Sequence, residues 1–396
     1  MRKGSDASRK TLSKDYIKRV IDYAVDNWNI QILSFTGGEP FLFLDDIVEL
    51  INHASSRGVK YIRTGTNGFA FCYDPAQHDK FEKRVYTIAE KLSQTNLRNL
   101  WISLDSSCPE VHEEMRGFPG LINGIEKAVP ILQEYGIYPA ANLGINRNIG
   151  GRYGMDEIND FNEEKFYERY SKGFSDFCQR VINLGFTMAN TCYPMSMDID
   201  DVSYLATSKD RVVSFTREEK AVLFKALFDT LSEYRPKIRI FTPKTSLCAL
   251  MKFYNNGSKT EYPCRGGIDF FYMDAETGHL YPCGYRVEDD LGEIWDIDLE
   301  TLREQKPFCV KCDWECFRDP TELYEPLINL YHHPISALIK IFKNEKSRLW
   351  LRDVLYFYSC DFFDGRKPPN YQKMRRFTKM FSSNGTCQLP QVNHSS

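Results

Sequence analysis

The 396-residue sequence contains no run of the roughly 18 to 20 uncharged apolar residues that a membrane-spanning helix needs. Its first ten residues, MRKGSDASRK, have no apolar core and do not read as a secretory signal. Charge of one sign is missing as well. Lys and Arg number 51 against 54 Asp and Glu, a net charge of −3, so the basic field of a general nucleic-acid binder is absent. No internal repeat stands out, and the only biased tract is the C-terminal SSNGTCQLPQVNHSS, which reads as disordered. With 42% hydrophobic and 14% aromatic residues, whole-chain disorder is excluded. The expectation is a soluble, cytoplasmic protein with one large domain plus additions, and with neither membrane nor specific nucleic acid as a partner.

Cysteine, by contrast, is plentiful. In a reducing compartment, twelve cysteines favour metal ligation or catalysis over disulfides. Only Cys72, Cys108, Cys178 and Cys192 precede residue 248, each alone. Eight follow from Cys248 onward, and Cys309, Cys312 and Cys316 form C-x-x-C-x-x-x-C.

Along the first two-thirds, helical and strand patterns alternate. Ile17, Val20, Ile21, Ala24, Val25 and Trp28 share one face of a helix that Ser13 would cap. IQILSF, YIRTGTN, NLWISLDSS, YPAANLGIN and FTMANTCYPM read as strands, separated by amphipathic helices. Five such strands predict parallel βα units of an α/β protein, in an open sheet or a barrel. The polar, Gly-rich strand ends favour the barrel, which places its site there. From about residue 241 the style changes: FYMDAETGHLYPCGYR predicts a β-hairpin, DLETLREQ a short helix, and the chain beyond Pro320 a helical, aromatic-rich segment.

The first constellation is Thr36-Gly37-Gly38-Glu39-Pro40. Two glycines after a buried strand let backbone approach a ligand closely, and Glu39 offers a carboxylate suited to an ammonium group. The same turn also serves as an ordinary strand-to-helix connection. It belongs, however, to a set: Asn67 ends the next strand, Ser103 and Asp105 the one after, and Arg116 follows in VHEEMRG. Glu39 would match an ammonium, Asn67, Ser103 and Asp105 hydroxyls, and Arg116 a carboxylate. A ligand carrying all three groups is an amino-acid nucleoside.

SFTGGEPFL, TNGF, WISLDSS and HEEMRGFPG, in this order, resemble the radical S-adenosylmethionine (radical SAM) superfamily over roughly residues 11–195. The resemblance implies a partial (β/α)6 TIM-like barrel. It implies that Gly37, Gly38 and Glu39 hold the methionine amino end of SAM, with Pro40 shaping the turn. Ser103, Asp105 and Asn67 would lie near the ribose, and Arg116 near the methionine carboxylate. The family's C-x-x-x-C-x-x-C, whose thiolates hold a core 4Fe–4S cluster, is not found ahead of the helix that follows Ser13. The pattern also lacks the first barrel strand, and a bare edge is one that stable domains avoid. The expectation is therefore that Met1 is an internal methionine of a longer chain, or that the gene is truncated. The core cluster is expected in the full-length protein, and the chain as written would not cleave SAM.

The second constellation is Cys264, Cys283, Cys309, Cys312 and Cys316. Four thiolates from two segments can saturate a zinc ion or an iron–sulfur cluster, and spacing alone leaves both open. Cys264, thirteen residues, Gly278, four residues, Cys283 and then C-x-x-C resemble the twitch or SPASM cluster domains that follow radical SAM barrels. That resemblance implies one auxiliary 4Fe–4S cluster on Cys264, Cys283, Cys309 and Cys312, with Cys316 a spare or substitute ligand and Cys360 undecided. The expected domains are 1–240, an N-terminally incomplete barrel; 241–325, the cluster domain; and 326–396, a helical extension.

The remaining features take the plain reading. Cys72, Cys108, Cys178, Cys192, Cys248 and Cys387 are expected to be packing or incidental thiols. His332-His333 reads as a helix-end or surface pair, LWLRDVLYFYSCDFF as core, and RKPPNYQKMRR as a solvated tail. By resemblance the intact protein is an oxidoreductase or maturase that cleaves SAM reductively, giving a 5′-deoxyadenosyl radical. That radical takes hydrogen from a peptide or small-molecule substrate, and an electron donor such as flavodoxin or ferredoxin supplies the electron. Two other classes stay open: a non-catalytic remnant that binds a single cluster, and a zinc-stabilised binding module.

Overall fold

The computed structural model describes residues 11–154, 161–194, 211–257, 262–310, 312–380 and 387. Helix α1 (Lys14–Trp28) starts where expected, with the Ser13 hydroxyl accepting from the Tyr16 N–H at 3.2 Å. Then come β1 (Ile32–Phe35), α2 (Leu44–Ser56), β2 (Tyr61–Thr66), α3 (His78–Ser93), β3 (Leu97–Ser103), α4 (Pro109–Arg116) and α5 (Leu121–Glu134). They are followed by β4 (Ala140–Gly144), α6 (Glu163–Asn183), β5 (Met188–Cys192), α7 (Arg217–Tyr234), β6 (Arg239–Ile240) and α8 (Lys244–Asn256).

The six strands form one parallel sheet in the order β1-β2-β3-β4-β5-β6. This is an α/β fold of sequential parallel strands joined by helices, with β1 and β6 at the two edges among the described strands. The sheet has six strands where the sequence pattern predicts five. The additional strand, β6, has only two residues, and α7 before it buries eleven residues, including Glu219 and Lys220, so it shows no clean apolar stripe.

Each strand alternates between two environments. On the outer face, Ile62, Leu100, Ile102, Ala141, Leu143, Ala189 and Ile240 join one apolar core with the surrounding helices. On the inner face the N-terminal end of the sheet is filled from the far end of the chain. After hairpin β7 (Tyr272–Met273) and β8 (Leu280–Tyr281) come α9 (Leu299–Glu304), α10 (Glu315–His332), α11 (Pro334–Lys343), α12 (Glu345–Ser359) and α13 (Tyr371–Met380). Helix α10 begins before Pro320 and runs through it. Tyr356, Phe357, Cys360 and Phe363 pack on Ala140 and Met188, so the aromatic run is core, as its composition suggests.

Hydrogen bonds lock this plug in place. The Gly365 N–H donates to Arg98 O at 2.6 Å, and the Tyr138 N–H donates to Gly365 O at 2.7 Å. Arg239, fully buried, donates to Thr187 Oγ1 and to Asp364 O at 2.7 and 3.1 Å. A Cβ on Gly365 would meet Arg98 O at 2.6 Å, so only glycine fits between the strand ends.

Two readings of the cysteines change. Cys248 and Cys387, expected to be incidental thiols, form a disulfide across 139 residues. Cys360 is buried in the plug and packs with apolar side chains. His332 and His333 lie where α10 ends and α11 begins, both exposed. Apart from Cys387, the tail read as disordered lies outside the described residues. Among the described residues, no helix is long and apolar enough to cross a membrane.

Helix α5 leans directly on the turn after β2, and a Cβ on Gly124 would lie 1.6 Å from Phe71 O. Helix propensity alone favours alanine there by about 1 kcal/mol. The clash reverses the sign, and Gly124→Ala is expected to destabilise by about 2 kcal/mol or more. Urea unfolding decides between the two; a raised midpoint would refute this packing.

Candidate active site at the strand ends

The C-terminal ends of β1 to β4 carry the residues singled out by the first constellation. After β1, Gly37 and Gly38 take φ of 82° and 43°, in the left-handed region that glycine adopts without strain. A Cβ at either would meet nothing within 4 Å, so the turn borders open space. Pro40 starts the short 3-10 turn Pro40–Phe43, which Glu39 caps. Glu39 Oε1 accepts from the Phe41 N–H at 3.1 Å and Oε2 from the Asn67 N–H at 2.6 Å, tying the turn after β1 to the turn after β2.

Burial raises the Glu39 carboxyl above its usual value. The hydrogen bonds from Asn67, Thr66 and Phe41 and the charge of Arg116 pull in the opposite direction. Arg116 is thus within electrostatic reach of Glu39. Asn67 itself is half-buried, and its Oδ1 accepts from the Phe69 N–H at 2.9 Å.

Asp105 and Arg116, given separate tasks by the sequence pattern, are paired with each other. Arg116 Nη2 donates to Asp105 Oδ1 at 2.7 Å, and Nε lies 2.6 Å from Oδ2. One charge-assisted hydrogen bond and a close ion pair thus join them. Asn146 Nδ2 donates to Asp105 O at 2.8 Å, and Ser103 sits beside Asn142 in register.

A prop that sequence reasoning missed lies behind Asp105. The Asp105 N–H donates to His112 Nδ1 at 3.1 Å, which places the imidazole proton on Nε2. Burial lowers the His112 pKa from 6.5 to about 4. In VHEEMRG only its helical offset from Arg116, four residues away on α4, could have pointed to it.

Beneath this rim, the inner face is polar. Asn190 Nδ2 donates to Asn142 Oδ1 at 2.9 Å, and Cys192 Sγ donates to the same oxygen at 3.4 Å. Burial pushes the Cys192 thiol well above its ordinary value, and Glu315 and Cys316 push it further. Cys192, expected to be incidental, therefore faces the interior.

Of the second constellation, Cys264, Cys283, Cys309 and Cys312 share one neighbourhood. The Cys264 N–H donates to Cys309 O at 2.8 Å. Burial pushes the Cys283 thiol up to about 11, with Cys264 and Cys309 adding to the shift, and raises Cys312, with Cys283 and Cys264 adding.

The Gly266 N–H donates to Cys264 Sγ at 3.4 Å, and a Cβ on Gly266 would come within 2.8 Å of Pro282 O. Cysteine thiolates are the donors that iron–sulfur clusters and zinc take. Among the described residues no three His, Cys, Asp or Glu side chains are drawn together as a metal-holding group. Cys316 packs in the same small cluster as Cys283 and Cys312, and its thiol also contacts Glu315 Oε1 at 3.6 Å.

Residues 4–164, about two-fifths of the chain, match the family model of the Radical SAM superfamily. Among curated proteins, it is 22% identical over 318 residues to the AdoMet-dependent heme synthase of Oleidesulfovibrio alaskensis, covering 78% of this chain and 70% of that one. It is 24% identical to the AdoMet-dependent heme synthase of Methanosarcina barkeri, covering 79% and 77%. A probable GTP 3′,8-cyclase of Pyrococcus abyssi is 30% identical over 148 residues, covering 37% and 43%. Among solved structures, Streptococcus suis SuiB is similar at a TM-score of 0.46 and 15% identity, and the match covers 76% of this chain but 61% of that one.

His112 yields a test with a defined sign. An unfolded histidine binds a proton below its usual pKa of 6.5, whereas the folded one resists until about 4. Stability is therefore lost as pH falls through that window and is retained above it, by up to about 3 kcal/mol. His112→Asn keeps an acceptor for the Asp105 N–H and is expected to flatten the profile. Urea midpoints measured from pH 7 to pH 4 for both proteins would show it, and parallel curves would contradict the burial of a neutral imidazole.

Proposed function

We propose that the intact protein, once supplied with the core-cluster cysteines that this sequence does not show, acts as a radical SAM oxidoreductase or maturase on a peptide or small-molecule substrate taken into the inner face of the sheet. The observation that carries this reading is the Glu39 carboxylate, half-buried at the open Gly37-Gly38 turn inside the segment that matches the family. SAM with a reduced iron–sulfur cluster supplies homolytic C–S cleavage and hydrogen-atom abstraction.

The chain's own residues bind and orient. Glu39 accepts the cofactor's ammonium while it stays fixed by the Asn67 and Phe41 N–H groups. Gly37 and Gly38 leave room for close approach of the backbone. Asn67 and Ser103 offer hydroxyl partners, and the Asp105–Arg116 pair presents its remaining acceptor and donor edges to the ribose and the cofactor carboxylate. His112 keeps Asp105 in place without competing charge. The polar layer of Asn142, Asn190 and Cys192 orients the substrate below.

Cys264, Cys283, Cys309 and Cys312 are proposed to hold one auxiliary 4Fe–4S cluster in a twitch-like domain, with Cys316 outside it. The shared neighbourhood of the four thiols and the N–H donated to Cys264 Sγ support this assignment. An external one-electron donor of the flavodoxin or ferredoxin class belongs to the same proposal.

Two measurements test the reading. Glu39→Gln removes the negative charge but keeps the shape, and is expected to weaken SAM binding about tenfold or more, measured by equilibrium dialysis; unchanged affinity would remove Glu39 from the site. Anaerobically purified protein is expected to contain iron and sulfide with a visible charge-transfer band. Cys283→Ser should lose them and Cys316→Ser retain them. Zinc without colour would replace the cluster by a structural metal.

A further inference from the structure

Arg98, Arg116, Arg147 and Arg235 each face a carboxylate, on Asp364, Asp105, Glu219 and Asp353 at 3.0, 2.6, 2.7 and 2.7 Å. Arg63, half-buried on β2, has no carboxylate within ion-pair distance among the described residues. Among the same residues Arg239 and Arg366 also lack a carboxylate partner but donate to backbone carbonyls of Thr187, Asp364 and Ser93, whereas Arg63 donates to a serine hydroxyl. A cation withdrawn from water without a partner is costly, so its retention calls for a reason.

The side chain is nevertheless held firmly. Its Nε donates to Ser34 Oγ on β1, and its guanidinium lies 4.6 Å from the centroid of the Trp101 ring on β3. Gly65, the next inward position on β2, leaves room for that ring: a Cβ there would meet Trp101 Cβ at 3.4 Å. A serine on one nitrogen and an indole on one face fix the plane of the group and leave the Nη edge for another partner. Arg63 precedes Asn67 by four residues on the same strand, so it lies about 13 Å beneath the rim at roughly 3.3 Å per residue. It thus faces the interior near Cys316, apart from the cofactor's proposed place.

We infer that Arg63 is a substrate anchor that takes a carboxylate through its Nη edge, and that the substrate is therefore carboxylate-bearing. This rests on the proposed function and narrows its substrate class. The carboxylate can come from an acidic side chain in a peptide or from a small organic acid. The shared chemistry is a planar anion matched to a pre-oriented guanidinium.

Phenylglyoxal modification of the full chain, with mass-spectrometric quantification at Arg63, tests the inference without turnover. The probes are acetyl-Ala-Glu-Ala-amide with its Gln counterpart, and glutarate with glutaramide. Arg63 is expected to be reactive and to be protected by a carboxylate probe about tenfold better than by the matching amide. Protection by the glutamyl peptide assigns the carboxylate to a peptide, and protection by glutarate alone assigns it to a small acid. An unreactive Arg63, no protection, or equal protection by acid and amide overturns the inference.

Binding of the protecting probe to Arg63→Gln should fall by a similar factor while SAM affinity stays at the wild-type level. A substitution that merely loosened the sheet would weaken both. Absence of SAM binding in the wild-type chain would sink the proposed function but leave the labelling result readable.

Discussion

A parallel sheet must be covered on both faces, and in this chain the two coverings come from different places. The connecting helices cover the outer face as each strand is laid down. The inner face is covered at one end by Tyr356, Phe357 and Phe363 from the far C-terminal part of the chain, and Glu315 and Cys316 of α10 lie beside Cys192 toward the other. Above that plug the interior turns polar, through Asn142, Asn190, Cys192 and Arg63, and above this layer lie Glu39, Asn67, Ser103 and Asp105. The gradient from apolar floor to polar rim gives the sheet a bottom and a top.

The rim owes its rigidity to shared use of polar atoms. Glu39 satisfies one N–H in its own turn and one in the next. Asp105 accepts from Arg116 on its side chain and gives its N–H to a neutral His112. These groups stabilise two loops at once, so a ligand meets donors and acceptors already fixed in orientation, and little ordering remains to oppose binding.

Much of this was legible in the residues. Helix α1 with its Ser13 cap, the five longer strands and the hairpin around Gly278 all follow from period and turn chemistry, because each is decided by neighbours in sequence. Gly37, Gly38 and Glu39 were legible through family resemblance. The rest depended on partners far away in the chain. Two-residue β6 has no period to detect, and α7 is wrapped on nearly every side, so its polar residues hide its burial. The Asp105–Arg116 pairing, the placing of Glu315 beside Cys192, and the Cys248–Cys387 link are tertiary choices that spacing leaves undetermined.

Arg98 at the start of β3 meets Asp364 across 266 residues, and Gly365 bridges the starts of β3 and β4. On a ribosome, β3 and β4 would emerge long before the segment that seals their lower end. Until then Arg239, Met188 and Ala140 would face solvent or whatever shields a nascent chain. Closure of such distant contacts is slow, and the exposed interior is prone to association in the meantime. Synthesis of this molecule therefore has a vulnerable interval set by the distance between a floor and its walls, and removal of the last helices would make that interval permanent.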